Sequence, residues 1–177
     1  MNLKLHRHQI SFFLTAIISI SFGCQQASFE KKQDNLQPVK TLVEQTIQNM
    51  AYDVRAEGPY ALIGYFEHSP QFSMITNGQL IFPDYKTAEQ IITKQWATSI
   101  AKFSLRWKQV KVEPLTSEFA HVEASYTDST TLNTGRKIFR QGYFTGLAHL
   151  TEKGWRIRTA HWSDNNASNP IAYNLSR

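Results

Sequence analysis

The chain has a single cysteine, Cys24. That excludes an internal disulfide and a cysteine-rich zinc site. It is also sparing in charge: Asp, Glu, Lys and Arg make up 19% of its 177 residues. The longest basic runs are the pairs Lys31-Lys32 and Arg136-Lys137. Nucleic-acid binding needs a concentrated basic face to neutralise phosphates, so the charge pattern argues against such a partner. Even the formal net charge of +5 is partly local, because Lys4 and Arg7 fall in residues 1–23, which hold no acid. The longest apolar run is also short. Residues 10–22, ISFFLTAIISISF, would span about 20 Å as a helix, less than the roughly 30 Å of a bilayer core.

What is present is a folded domain with an address in front of it. Hydrophobic residues reach 41% and aromatic residues 12%, enough for a sizeable core and for an apolar pocket wall. Residues 1–9 are polar and positive, with Lys4, His6, Arg7 and His8, and the apolar run follows. That order describes a secretory signal. Ser21-Phe22-Gly23-Cys24 then closes it, and the small residue before the sole Cys resembles a bacterial lipoprotein signal. The resemblance implies that residues 1–23 are removed and that Cys24 becomes the acylated first residue, lipidated (for example with palmitate) on sulfur. Leu is usual three before the Cys, and Ser21 stands there instead. Several acyl chains together anchor stably, each buried CH₂ adding about 0.8 kcal/mol. Residues 24–37 are a polar tether. Gln25 rather than Asp after the Cys implies the outer membrane, facing the periplasm.

The expected domain is residues 38–163. Pro38 opens an amphipathic helix with Val39, Leu42, Val43, Thr46, Ile47 and Met50 on one face, ending near residues 52–55. A short apolar helix covers residues 60–66. A strand over residues 72–76 leads into Asn77-Gly78, a strong hairpin signal, and Leu80-Ile81-Phe82 continues extended. A third helix is predicted over residues 86–103. The period then changes to two. Strands are predicted over residues 105–112 with a bulge near Lys108-Gln109, over 119–127, over 137–150 with Gly142 and Gly146 as bends, and over 155–163. Residues 128–136 read as a turn and 164–177 as a polar tail.

Helices followed by antiparallel strands argue an α+β fold with helices on one face of the sheet. The order resembles the nuclear transport factor 2-like superfamily in its SnoaL-like branch. The residues carrying the likeness are Phe66 before the first strand, Asn77-Gly78, Arg140-Gln141-Gly142, and the ending Lys153-Gly154-Trp155-Arg156-Ile157 with Thr159-Ala160-His161-Trp162-Ser163. The resemblance implies a cone-shaped, strongly curved antiparallel sheet wrapped around a long helix, with a pocket at its mouth.

Relatives of that branch include isomerases and cyclases that use a carboxylate base near the first strand. Here the segment reads Glu67-His68-Ser69-Pro70, without the usual pair of acids. His68 is one candidate base, set against a plain helix-end histidine beside the helix dipole. His161 is the other. Simple alternation places it with Trp155 and Ile157, facing the cone within reach of Tyr126 or Arg140, and the alternative is a hydrogen-bonded core histidine. His121 and His149 read as surface residues. The mature histidines lack metal-ligand spacing, so no metal and no cofactor is expected. Ser69, Ser163 and His161 lack the Gly-x-Ser-x-Gly elbow of a hydrolase. Arg140 in the cone could clamp a carboxylate, or reach solvent at a strand end. Tyr52, Phe66, Phe72, Met74, Trp96, Trp107 and Tyr126 are the expected pocket lining, set against plain core residues. Three functions remain open at this point: a lipid-anchored binder of a small apolar ligand, an isomerase, dehydratase or cyclase using a His base, and a dimerising interaction module.

Overall fold

A computed structural model describes residues 36–165. The expected signal segment, Cys24 and the rest of the expected tether to residue 35, and residues 166–177 of the expected tail lie outside the described residues. Helix α1 (Gln37–Glu57) begins with Pro in its first turn and ends at Gly58, whose φ of 82° favours glycine. Its buried stripe is Val43, Ile47, Met50, Ala51 and Val54. A 3-10 helix follows (Pro59–Tyr65), in which Pro59 and Leu62 are buried.

Strands β1 (Ser73–Thr76) and β2 (Gln79–Phe82) form a hairpin. Both turn residues have positive φ, 49° at Asn77 and 78° at Gly78, as a two-residue turn matched to strand twist requires. Asp84 then caps helix α2 (Tyr85–Gln90) by accepting the Thr87 N–H at 2.7 Å. The helix continues as a wide π-helical stretch (Ile91–Trp96) and ends in the short α3 (Ala97–Ser99). The third helix was expected to run to residue 103. It stops sooner because Ile100 turns extended and pairs with Leu132, so Phe103 belongs to a strand.

Four long strands complete the chain: β3 (Ile100–Pro114), β4 (Phe119–Leu132), β5 (Lys137–Thr151) and β6 (Gly154–Asp164). The sheet order is β2-β1-β6-β5-β4-β3. The long strands pair antiparallel, and β1 joins β6 in parallel. The result is a curved, unclosed α+β sheet with helices packed against it. The core lies between α1 and the inner face of β3 to β6. There the Trp107 indole N–H donates to the Ile47 carbonyl at 2.8 Å, tying sheet to helix.

Two bulges decide which side chains face inward. In β3 the register shifts between Trp107 and Gln109, as the spacing predicted. In β6 it shifts where Leu147 pairs with Thr159 but Ala148 pairs with Ile157, leaving Arg158 as the extra residue. Inward positions therefore run Trp155, Ile157, then Ala160 and Trp162. Strand β4 is also longer than expected. Its buried alternation continues through Ala124 and Tyr126 to Asp128 and Thr130, where a turn was predicted. The turn is confined to the residues between Leu132 and Lys137, with Gly135 at φ 85°. The glycines of β5 do more than bend it. An added Cβ at Gly142 would fall 1.9 Å from the Ser163 carbonyl oxygen, and at Gly146 2.8 Å from that of Thr159.

Candidate functional site

The inner face of the sheet, the 3-10 helix and the π-helical stretch enclose a cavity of about 70 Å³. Its wall is largely apolar. Leu62 and Phe66 come from the 3-10 helix and its end, Met74 and Ile81 from the hairpin, and Trp96 from the π-helical stretch. Phe103, Leu105 and Trp162 complete it from the sheet.

The polar groups gather at one end. Asp128 on β4 and Arg140 on β5 are direct cross-strand partners. The Arg140 Nε–H is 3.0 Å from both carboxylate oxygens of Asp128. The Asp128 side chain is 5% exposed and that of Arg140 25%. Burial pushes the Asp128 carboxyl up to about 6 from its ordinary 3.8; the Arg140 charge opposes that shift and Asp164 adds to it. Next to them the Tyr126 hydroxyl donates to Asp164 Oδ1. Burial, then the hydrogen bond to Asp164, hold the Tyr126 phenol far above its usual range. Asn77 anchors Asp164 from the hairpin turn: its Nδ2–H donates to Asp164 Oδ2 at 3.1 Å, and its Oδ1 accepts the Asp164 backbone N–H at 2.8 Å.

Of the side chains singled out in the sequence, Phe66, Met74, Trp96, Tyr126 and Arg140 line this cavity. Phe72 lies fully buried behind Phe66, their rings 4.5 Å apart. Trp107 backs Trp162 at 5.4 Å and belongs to the core between helix and sheet. Tyr52 is 65% exposed on α1 and lines nothing. His68 is exposed and lies against the ring of Tyr85 at 4.2 Å, outside the cavity. His161 is exposed as well. The β6 bulge reverses the face after Ile157, so Trp162 and Asp164 point inward where His161 was expected. The two carboxylates were missed for separate reasons. Asp128 sat in the segment read as a turn, and Asp164 in the segment read as a tail.

A second polar cluster lies apart from the cavity. Glu67 is 7% exposed. Its Oε2 is 3.0 Å from His149 Nδ1, and its Oε1 accepts from Ser69 Oγ at 2.9 Å. Arg158, the bulge residue, brings a guanidinium nitrogen 3.8 Å from Glu67 Oε1 and stands over the Phe119 ring, on which His149 also stacks. His149, expected on the surface, is thus half-buried in a network that no local sequence signal connects to Glu67. Among the described residues no group of three His, Cys, Asp or Glu side chains is placed to hold a metal ion.

No family model and no curated protein matches this sequence. Solved structures do. A nuclear transport factor 2-like superfamily protein from Salmonella enterica is 18% identical with a TM-score of 0.61, covering 72% of this chain and 91% of its own. A protein assigned as a scytalone dehydratase from Novosphingobium aromaticivorans is 11% identical with a TM-score of 0.61, covering 72% and 83%. A hexachlorocyclohexane dehydrochlorinase from Novosphingobium barchaimii is 9% identical with a TM-score of 0.56, covering 71% and 85%. At such identities the likeness establishes the fold, which is the nuclear transport factor 2-like one.

Proposed function

We propose that this is a lipid-anchored protein of the bacterial cell envelope whose cavity binds a small, largely apolar ligand without turning it over. The carrying observation is the cavity: eight apolar side chains around a small set of convergent polar groups. At about 70 Å³ it is far below the roughly 300–1,000 Å³ of pockets for drug-sized ligands, so the ligand is small. Both histidines considered as bases stand outside it. The anchor rests on the placement of the sole cysteine after the apolar run.

Native mass spectrometry of the detergent-extracted chain tests the ligand. A small-molecule adduct that disappears when Leu105 is enlarged to Trp supports the reading. Absence of any adduct, with no uptake of apolar fragments, removes it. Cys24→Ser tests the anchor and should leave the chain soluble; a mutant that still pellets after carbonate washing ends the lipoprotein assignment.

A catalytic reading has one observation in its favour. Asp128, pushed up to about 6 inside an apolar cavity, could exchange a proton near neutrality. The dehydratase and dehydrochlorinase names of fold neighbours agree with such chemistry. Adduct masses distinguish the two: a retained, unaltered ligand favours binding, and a shift by loss of water or acid favours elimination.

A further inference from the structure

We infer that the cavity takes a small monocarboxylate together with a proton, the carboxylate seated on the free side of the Arg140 guanidinium and the proton carried by Asp128. This rests on the cavity being a ligand site and names what enters it.

Arg140 supplies the first half. A guanidinium has five N–H donors in a planar fork. Among the described residues, its side-chain hydrogen bonds leave from Nε alone, both to Asp128. The two terminal nitrogens belong to a residue that lines a cavity of otherwise mainly apolar wall. A carboxylate matches that edge with two parallel hydrogen bonds, which a neutral amide or alcohol cannot reproduce. The remaining wall accepts an apolar body, and a volume of about 70 Å³ limits it to a short chain or a single ring.

The charge balance supplies the second half. The cavity end already holds two carboxylates, Asp128 and Asp164, against one cation. A third anion there needs a compensating charge. Asp164 already accepts from the Tyr126 hydroxyl at one oxygen and from the Asn77 amide at the other. Among the described residues Asp128 accepts from Arg140 alone, and Arg140 is the group the ligand would share. The groups facing Asp128 are Tyr126 from β4, Arg140 from β5 and Asp164 from β6. The cavity residues from the hairpin, the helices and β3 are Leu62, Phe66, Met74, Thr76, Ile81, Trp96, Phe103 and Leu105, none of which titrates. A proton taken up with the ligand therefore goes to an Asp128 oxygen. Burial already pushes the Asp128 carboxyl up to about 6, and a neighbouring anion raises it further. The net transfer is of a neutral acid: anion and proton enter together, and the total charge of the site is unchanged.

Calorimetry on the full chain tests this, with butyrate and benzoate as probes and butyramide and benzamide as their neutral counterparts. Titrations at pH 5.5, 6.5 and 7.5 in buffers of different ionisation enthalpy read affinity and proton uptake on the unmodified protein. The carboxylates should bind more weakly as pH rises above about 6, approaching tenfold per unit, with uptake nearing one proton per ligand at pH 7.5. The amides should bind weakly at every pH. Asp128→Asn should bind the carboxylates with a flat pH profile, and Arg140→Gln should erase the preference for acid over amide. Carboxylate binding without proton uptake, or amides binding as well as acids, overturns the inference and leaves the ligand-site reading standing. No binding by any of the four probes, together with no native adduct, overturns both.

Discussion

Tyr126 and Asp164 stand two strands apart and meet across Gly142, which pairs with each of them. Three consecutive strands therefore contribute to one hydrogen bond, and the middle residue contributes by having no side chain. Gly142→Ala should destabilise the fold by about 3 kcal/mol or more, since a Cβ 1.9 Å from the Ser163 carbonyl oxygen forces β5 and β6 apart. Gly64→Ala is the control. It has nothing within 4 Å and should shift denaturant midpoints by less than about 0.5 kcal/mol.

Tyr126→Phe should cost about 1.5–3 kcal/mol, the value of a hydrogen bond to a charged acceptor. Ultraviolet titration gives a second reading. The phenol is held above its ordinary 10, first by burial and then by Asp164. The folded variant should therefore develop as much phenolate absorbance by pH 11 as the parent. A loss of one tyrosine's worth would place Tyr126 in solvent.

Asp128 predicts the sign of a pH effect. The native carboxyl binds its proton more tightly than the unfolded chain, about 6 against 3.8. Between those values the native state carries more protons, so stability falls as pH rises. Unfolding free energy should decline by about 1–3 kcal/mol from pH 4 to pH 7 through this group. Asp128→Asn should flatten that part of the profile, and denaturant titrations at matched ionic strength measure both.

Glu67→Gln should cost about 1–3 kcal/mol, because it removes the charge that His149 and Arg158 share in a mostly buried cluster. The loss should appear as melting of the contact between the end of the 3-10 helix and β6, where Phe66 bridges Ile157 and the Glu67 N–H donates to the Ile157 carbonyl. Hydrogen exchange at the Glu67 N–H reads it directly. Unchanged protection there would show that the contact stands without the cluster's charge.

The architecture was legible where local rules act alone. Asn77-Gly78 demands a two-residue turn, the α1 stripe repeats at helical spacing, and the apolar break after Trp107 marks a bulge. The cavity wall was half legible, because an inward aromatic and a core aromatic share one pattern: Trp96 lines the space while Trp107 fills the core behind it. The polar end was legible only at Arg140 and Tyr126. Asp128 continues the alternation of Ala120, Val122, Ala124 and Tyr126 without a break, but Asp read in isolation signals a turn. The β6 bulge gave no warning, since Arg156-Ile157-Arg158-Thr159 alternates well enough in either register.

That bulge makes the character of the cavity a matter of counting. Beyond Arg158, each residue's side of the sheet depends on one extra position in the strand. Pairing the same residues in unbroken alternation, without the bulge, would bring the imidazole of His161 to the inside and turn the indole of Trp162 and the carboxylate of Asp164 to the outside. Deleting one residue between Arg158 and His161, with the bulge kept, would likewise put an imidazole on the side where an indole and a carboxylate now stand, while every other strand kept its sequence. Diversification of such a scaffold need not proceed by replacing site residues one at a time; it can slide a whole row of existing ones past the opening.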